Sequence, residues 1–244
     1  MSGHHSPLDQ FLIKPLVHLS ASGIDLSITN SSLFIILTTL SIMVMQYCAV
    51  CSDPLRPNKI ATLFEILYDF SAGLVIENAG AGAKAYAPLI FSLFMFVLCA
   101  NLFGMLPYSF TITSQFAVTA TLALFIFITI TIVGFKIHGL KYLRIFYPTG
   151  IPGWIAPLLI PMEVLSYLIR PVTLSVRLFL NLTAGHMLLK VFAGFVIMVG
   201  STWALAPILF NVVFIGFEFC VAILQAYIFT ILTCIYLNDA LNLH

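Results

Sequence analysis

The stretch from residue 31 to residue 50, SSLFIILTTLSIMVMQYCAV, runs twenty positions without an Asp, Glu, Lys or Arg. A helix needs roughly 20 apolar residues to cross a hydrocarbon core about 30 Å thick. No water reaches the backbone N–H and C=O groups there, so a run of this kind takes the form that pairs them internally, the α-helix. Two more runs, 85–106 and 114–135, share this character, and two longer segments, 161–199 and 206–237, are mostly apolar with a few ionisable residues. Only 8% of the residues are charged, against about 25% in a soluble domain, and the mean hydropathy is +1.10. The expectation is an all-α polytopic membrane protein, with residues 1–244 forming a single membrane domain.

Along the chain, residues 1–30 read as an N-terminal surface segment. The first span is 31–50, with Asn30 and Ser31 as candidate N-caps. Residues 58–78 differ: Leu63, Ile66, Leu67, Phe70 and Leu74 recur at helical spacing while Glu65, Asp69 and Glu77 fall elsewhere. That pattern predicts an amphipathic helix on the membrane surface or against a partner. The following NAGAGAK reads as a turn; without a Gly-Lys-Ser/Thr ending it is not a phosphate loop. A helical hairpin is expected over 85–135 and a closing helix pair over 161–240. Its two segments exceed the length a bilayer requires, so both are expected to be steeply tilted or broken. Pro171 and the glycines at 185, 194 and 200 are the candidate bends.

The net charge of +1 gives no reason to expect a nucleic-acid partner. Cys48 and Cys51 form a lone C-x-x-C with no second pair, and cysteines in apolar helices are ordinarily packing residues. No metal or cofactor site is expected. The first 24 residues lack the apolar core of a signal peptide. Arg56 and Lys59 follow the first span, and Lys136, Lys141 and Arg144 follow the third. Basic loops stay inside, so with five spans the N-terminus lies outside and the C-terminus inside.

Ionisable residues within spans cost about 2.5–3.5 kcal/mol each on insertion scales and mark function. Here they are ordered. Glu163, Arg170 and Arg177 are spaced by seven, a rotation about 20° short of two helical turns. Asn181 lies one turn beyond Arg177, and Ser166 and Thr173 fall close to the same line. His186 points to the opposite face. On the last segment Glu218 and Gln225 share a face, with Asp239 near the inner end. Carboxylates thus approach from both sides of Arg177, which keeps its proton at any physiological pH. It blocks proton relay and attracts a carboxylate. This is the arrangement of two aqueous half-channels that must not connect, with a moving carboxylate on a partner as the carrier. Plainer readings exist: Arg170 paired with Glu163 at the inner end, Lys190 snorkelling to an interface, His186 as a packing histidine.

The stretches PVTLSVRLFLNLTAGHMLL and FEFCVAILQAYIFTILTCIYLNDALNLH resemble subunit a of the rotary F-type ATP synthase, as do NLFGMLPYSFTITS and DQFLIKPLVHLSASGIDLSITNSSLF. The resemblance covers nearly the whole chain. It implies that Arg177 is the essential arginine facing the c-ring carboxylate, with Asn181 one turn on and Gln225 nearby on the last helix. Glu218 and His186 match the outer half-channel pair of mitochondrial-type members, Glu163 matches the inner-channel glutamate, and Asp239 the aspartate of the closing block. Ser175 and Leu180 stand where the family usually has small residues. The implied partners are the c-subunit ring, peripheral-stalk subunits, other membrane subunits of the complex and the lipid bilayer. ATP chemistry would belong to other chains. The implied location is the mitochondrial inner membrane or an alphaproteobacterial plasma membrane. The competing classes are a haem-holding membrane protein, a stand-alone ion channel or transporter, and a purely structural membrane subunit.

Overall fold

The computed structural model describes residues 15–17, 20, 21, 24, 25, 27–53, 58–106, 109–146, 156–199 and 205–242. Arg56, most of the N-terminal segment and the loop at 200–204 lie outside the described residues. Six α-helices follow one another: α1 (Asn30–Val50), α2 (Lys59–Ala79), α3 (Ala87–Gly104), α4 (Phe116–His138), α5 (Ala156–Val199) and α6 (Leu205–Leu241). Before them, β1 (Pro15–Val17) pairs antiparallel with β4 (Ile28–Thr29), and β2 (Ser20–Ala21) with β3 (Ile24–Asp25), two nested ladders. Five helical segments among the described residues are long and apolar enough to cross a membrane: Asn30–Val50, Ala81–Gly104, Phe116–Phe146, Pro157–Val196 and Leu205–Leu241. The chain is a polytopic helical membrane protein.

Local chemistry explains the ends and the tolerated polar residues. The cap of α1 is Thr29, one position before the expected Asn30. Its Oγ1 accepts from the Ser32 backbone N–H at 3.4 Å, and Ser32 Oγ accepts from the Thr29 N–H at 3.0 Å. This reciprocal pair satisfies two donors that a bare helix start leaves open. Within the spans, the hydroxyls of Thr38, Thr39, Thr121, Thr129 and Thr131 donate to the carbonyl four residues back. A threonine so bonded costs lipid no unpaired donor. Beyond α2, Gly80 takes φ 80° and a 3-10 turn, Ala81–Tyr86, leads into α3. Of the two alternatives for the closing segments, tilted or broken, neither helix is broken: α5 runs through Pro161, Pro171, Gly185 and Gly194 without interruption, and α6 is continuous over Leu205–Leu241.

The packing falls into two compact units. The first comprises Met1–Tyr47, Met95–Gln115 and Leu178–Ala226; the second comprises Cys48–Phe94, Phe116–Arg177 and Tyr227–His244. In the first, Asn101 is fully buried and its Nδ2 donates to the Ala222 carbonyl at 3.1 Å. In the second, Val75 and Ala79 of α2, Ala83, Ala87 and Ile90 form a core with Cys234 and Leu237 of α6. Of the stripe expected to face the membrane surface or a partner, Leu63, Ile66 and Phe70 are exposed and Leu74 is buried. The helix seats Ala61, Ser71, Leu74, Val75 and Ala79 against its own chain. In the same unit a His138 ring nitrogen lies 2.9 Å from the Leu241 carbonyl, tying the end of α4 to the end of α6.

Candidate functional site

The polar residues of α5 and α6 sort into two constellations, one in each unit. In the second unit, an Arg170 guanidinium N–H donates to Asp239 Oδ2 at 3.0 Å. The guanidinium also lies 4.9 Å from the Tyr236 ring centre and 5.6 Å from that of Tyr167, distances at which a ring face attracts a cation. Tyr167 Oη is 2.7 Å from Thr131 Oγ1 and 3.1 Å from Tyr142 Oη. The simple pairing of Arg170 with Glu163 is therefore not what forms: Asp239 takes the arginine. Glu163 is half-buried and has no ion-pair partner among the described residues. Arg177 closes this unit. It is exposed, and it too has no hydrogen-bond or ion-pair partner among the described residues.

In the first unit, Asn181 Nδ2 donates to Gln225 Oε1 at 2.8 Å, and Gln225 is buried. His186 Nδ1 lies 3.8 Å from Glu218 Oε1, too long for a hydrogen bond. His186 Nε2 is 3.1 Å from Thr111 Oγ1. Glu218 is 4% exposed and neither of its carboxyl oxygens has a hydrogen-bond partner among the described residues. Gly185 makes room for it, since a Cβ there would collide with Glu218 Oε1.

Other buried oxygens in this unit share that condition: Asn101 Oδ1, Thr113 Oγ1, Thr183 Oγ1 and Asn211 Oδ1. A protein rarely leaves buried polar atoms unpaired, and where it does ordered water is the usual partner.

The chain matches the ATP synthase A chain family over residues 32–238. It is 51% identical over 240 residues to ATP synthase subunit a of Rhodospirillum rubrum, covering 98% of this chain and all of that one. It is 50% identical over 242 residues to ATP synthase subunit a of Pelagibacter ubique, covering 98% of each. This chain belongs to the ATP synthase subunit a family. The resemblance drawn from the arginine block and the closing block thus extends over the full length.

Of the residues singled out from sequence, the fold joins Asn181 to Gln225, His186 to Glu218, and Asp239 to Arg170. Thr111, Asn101, Tyr142 and Tyr167 escaped sequence reasoning. Thr111 had one signal, crowding: Ser109, Thr111, Thr113 and Ser114 put four Ser and Thr hydroxyls into the short link before α4.

Proposed function

We propose that this chain is the proton-translocating stator subunit in the membrane sector of an F-type ATP synthase, sited in a bacterial plasma membrane. In this reading it offers two offset aqueous half-channels to carboxylates on a ring of c-subunits, coupling proton flow to ring rotation and ATP synthesis. Arg177 carries the proposal. A permanent cation on the exposed side of a long apolar helix, with no partner among the described residues, is free to pair with an anion from outside the chain. A ring carboxylate supplies it. In a low-dielectric site, Coulomb attraction favours the ionised carboxylate as it passes the guanidinium. The arginine cannot hand on a proton itself, so it separates the two paths.

The outer path runs past His186 and Glu218, and the unpaired buried oxygens around them are the reason to place water there. The inner path runs toward Glu163 and Asp239. Asn181 follows the arginine by one turn of α5 and is hydrogen-bonded to Gln225 of α6. The bacterial relatives favour the plasma membrane over an organelle.

The test is ATP-driven acidification of inverted vesicles carrying the whole complex, wild type against Arg177→Ala. Passive proton leak is measured in the same vesicles after the catalytic head is stripped. The expected outcome is loss of pumping with an assembled complex and a leak that persists or rises. Pumping that survives in Arg177→Ala would leave a structural membrane subunit as the better reading.

A further inference from the structure

We infer that Thr111 is a positioning residue that fixes the ring of His186 as the Nε2–H tautomer, so that bare Nδ1 faces Glu218. Thr111 Oγ1 lies 3.2 Å from the Gly104 carbonyl and 3.1 Å from His186 Nε2. A hydroxyl has one proton, and a carbonyl can only accept. With that proton on Gly104, the Thr111 oxygen accepts, so Nε2 must carry the hydrogen. The opposite choice, the hydroxyl donating to Nε2, leaves two oxygens facing each other at 3.2 Å with lone pairs only. In a neutral imidazole one nitrogen is protonated and the other is not. The unprotonated one is then Nδ1, 3.8 Å from Glu218 Oε1.

The local fold is built around this contact. Thr111 is 6% exposed. Gly104, the last residue of α3, leaves room for it: a Cβ at that position would meet Thr111 Cγ2 at 2.7 Å. Ser109 Oγ lies 2.6 Å from the Phe103 carbonyl, 2.7 Å from that of Leu106 and 3.2 Å from that of Gly104, and its one proton serves one of them at a time. Ser114 Oγ donates to the Thr111 carbonyl at 2.6 Å and holds the next turn. Thr111 has little freedom to choose another partner.

The consequence for proton transfer rests on the outer path proposed above. A proton taken up at Nδ1 gives an imidazolium. Passing it from the same atom to the Glu218 carboxylate breaks that N–H bond, forms an O–H bond and restores the original neutral tautomer. Uptake and release share one atom, so the ring needs no flip between protons. With the other tautomer, uptake would fall on Nε2, which is turned to Thr111, and release on Nδ1. That release leaves the hydrogen on Nε2, so the other tautomer supports a single transfer, and that transfer needs a proton delivered to the nitrogen that faces Thr111.

The test uses the whole ATP synthase complex in liposomes, labelled with 15N-histidine. Solid-state NMR reads the ring nitrogens, and the His186 signals are those lost in His186→Gln. The expected wild-type result is a protonated Nε2 and a bare Nδ1. Thr111→Ser keeps the hydroxyl and should keep both that signature and most of the pumping. Thr111→Val should mix the tautomers and lower ATP-driven pumping by about tenfold or more, since a mis-set catalytic histidine tautomer can cost far more than that. A wild-type ring protonated at Nδ1, or a Thr111→Val complex with the wild-type signature, overturns the inference. If Thr111→Val fails to assemble, the wild-type spectrum still decides the tautomer. Normal pumping in His186→Gln would instead sink the outer-path reading, which separates the two failures.

Discussion

Gly185 is where a single methyl group should matter most. It sits against Glu218, a carboxyl group that is buried and has no hydrogen-bond partner among the described residues. A Cβ at 185 would overlap Glu218 Oε1 and approach its Cδ at 2.8 Å. The carboxylate is the far end of a flexible side chain, so it can swing away, and the helix survives. What is lost is its placement beside His186. Misplacing a reacting group by about 1 Å can cost as much as about a hundredfold in rate. Gly185→Ala is therefore expected to leave the complex assembled and to reduce ATP-driven acidification by roughly tenfold or more, with Gly185→Val worse. Near-normal pumping in Gly185→Ala would mean that the position of Glu218 is not limiting. Glu218 and Arg177 were legible in the sequence because an ionisable side chain in an apolar helix is costly and conspicuous. Thr111 was not, because a hydroxyl in a link between helices is ordinary turn chemistry and its partner lies 75 residues away.

The helices show a different limit of sequence reading. The five spans were legible from hydropathy within a few residues at most ends, because span length is set by the bilayer, and α2 from its helical periodicity. Its stripe was read as facing the membrane surface or a partner, and Leu63, Ile66 and Phe70 are exposed on the chain. The face that packs inward was not legible. Here the buried positions are Ala61, Ser71, Leu74, Val75 and Ala79. Where lipid is as apolar as leucine, helices associate through small residues that let backbones approach. The same device appears in α4, where Gly134 accepts the face of Tyr142. A Cβ at 134 would overlap the Tyr142 ring, which is 2% exposed and has its hydroxyl 3.1 Å from that of Tyr167. The ring has no room to retreat. Overpacking of this kind costs about 1–3 kcal/mol. Gly134→Ala should lower the thermal stability of the detergent-solubilised complex, and Gly134→Ala with Tyr142→Leu should recover part of the loss. An unchanged melting temperature in the single variant would show that the turn after α4 yields freely. The continuity of α5 was the other surprise. Forty-four residues make a helix about 66 Å long, with Pro171, a candidate bend, inside it. Proline removes one donor and crowds the preceding turn, but in a membrane helix neighbouring groups can re-satisfy the freed carbonyl.

The orientation of the chain in its membrane follows from charge and from one contact. Lys136, Lys141 and Arg144 gather at the end of α4 and in the turn after it, and all three are exposed. Positive loops are retained on the cytoplasmic side. In the same compact unit, the His138 ring lies 2.9 Å from the carbonyl of Leu241, the last residue of α6. The end of α6 therefore shares a side with the basic end of α4, whatever the tilt of the helices between them. Parity agrees: five spans that begin outside must finish inside. The basic end of α4 and the C-terminus thus make a linked prediction. Single cysteines introduced at Lys141 and at Asn242, in a chain whose five native cysteines are replaced by serine or alanine, should react with a membrane-impermeant maleimide in inverted vesicles. In right-side-out vesicles both should stay unreacted until detergent is added. Labelling of Asn242→Cys and Lys141→Cys from opposite sides would break the contact between α4 and α6. Labelling of both from the outside would reverse the chain, and with it the assignment of His186 and Glu218 to the outer path.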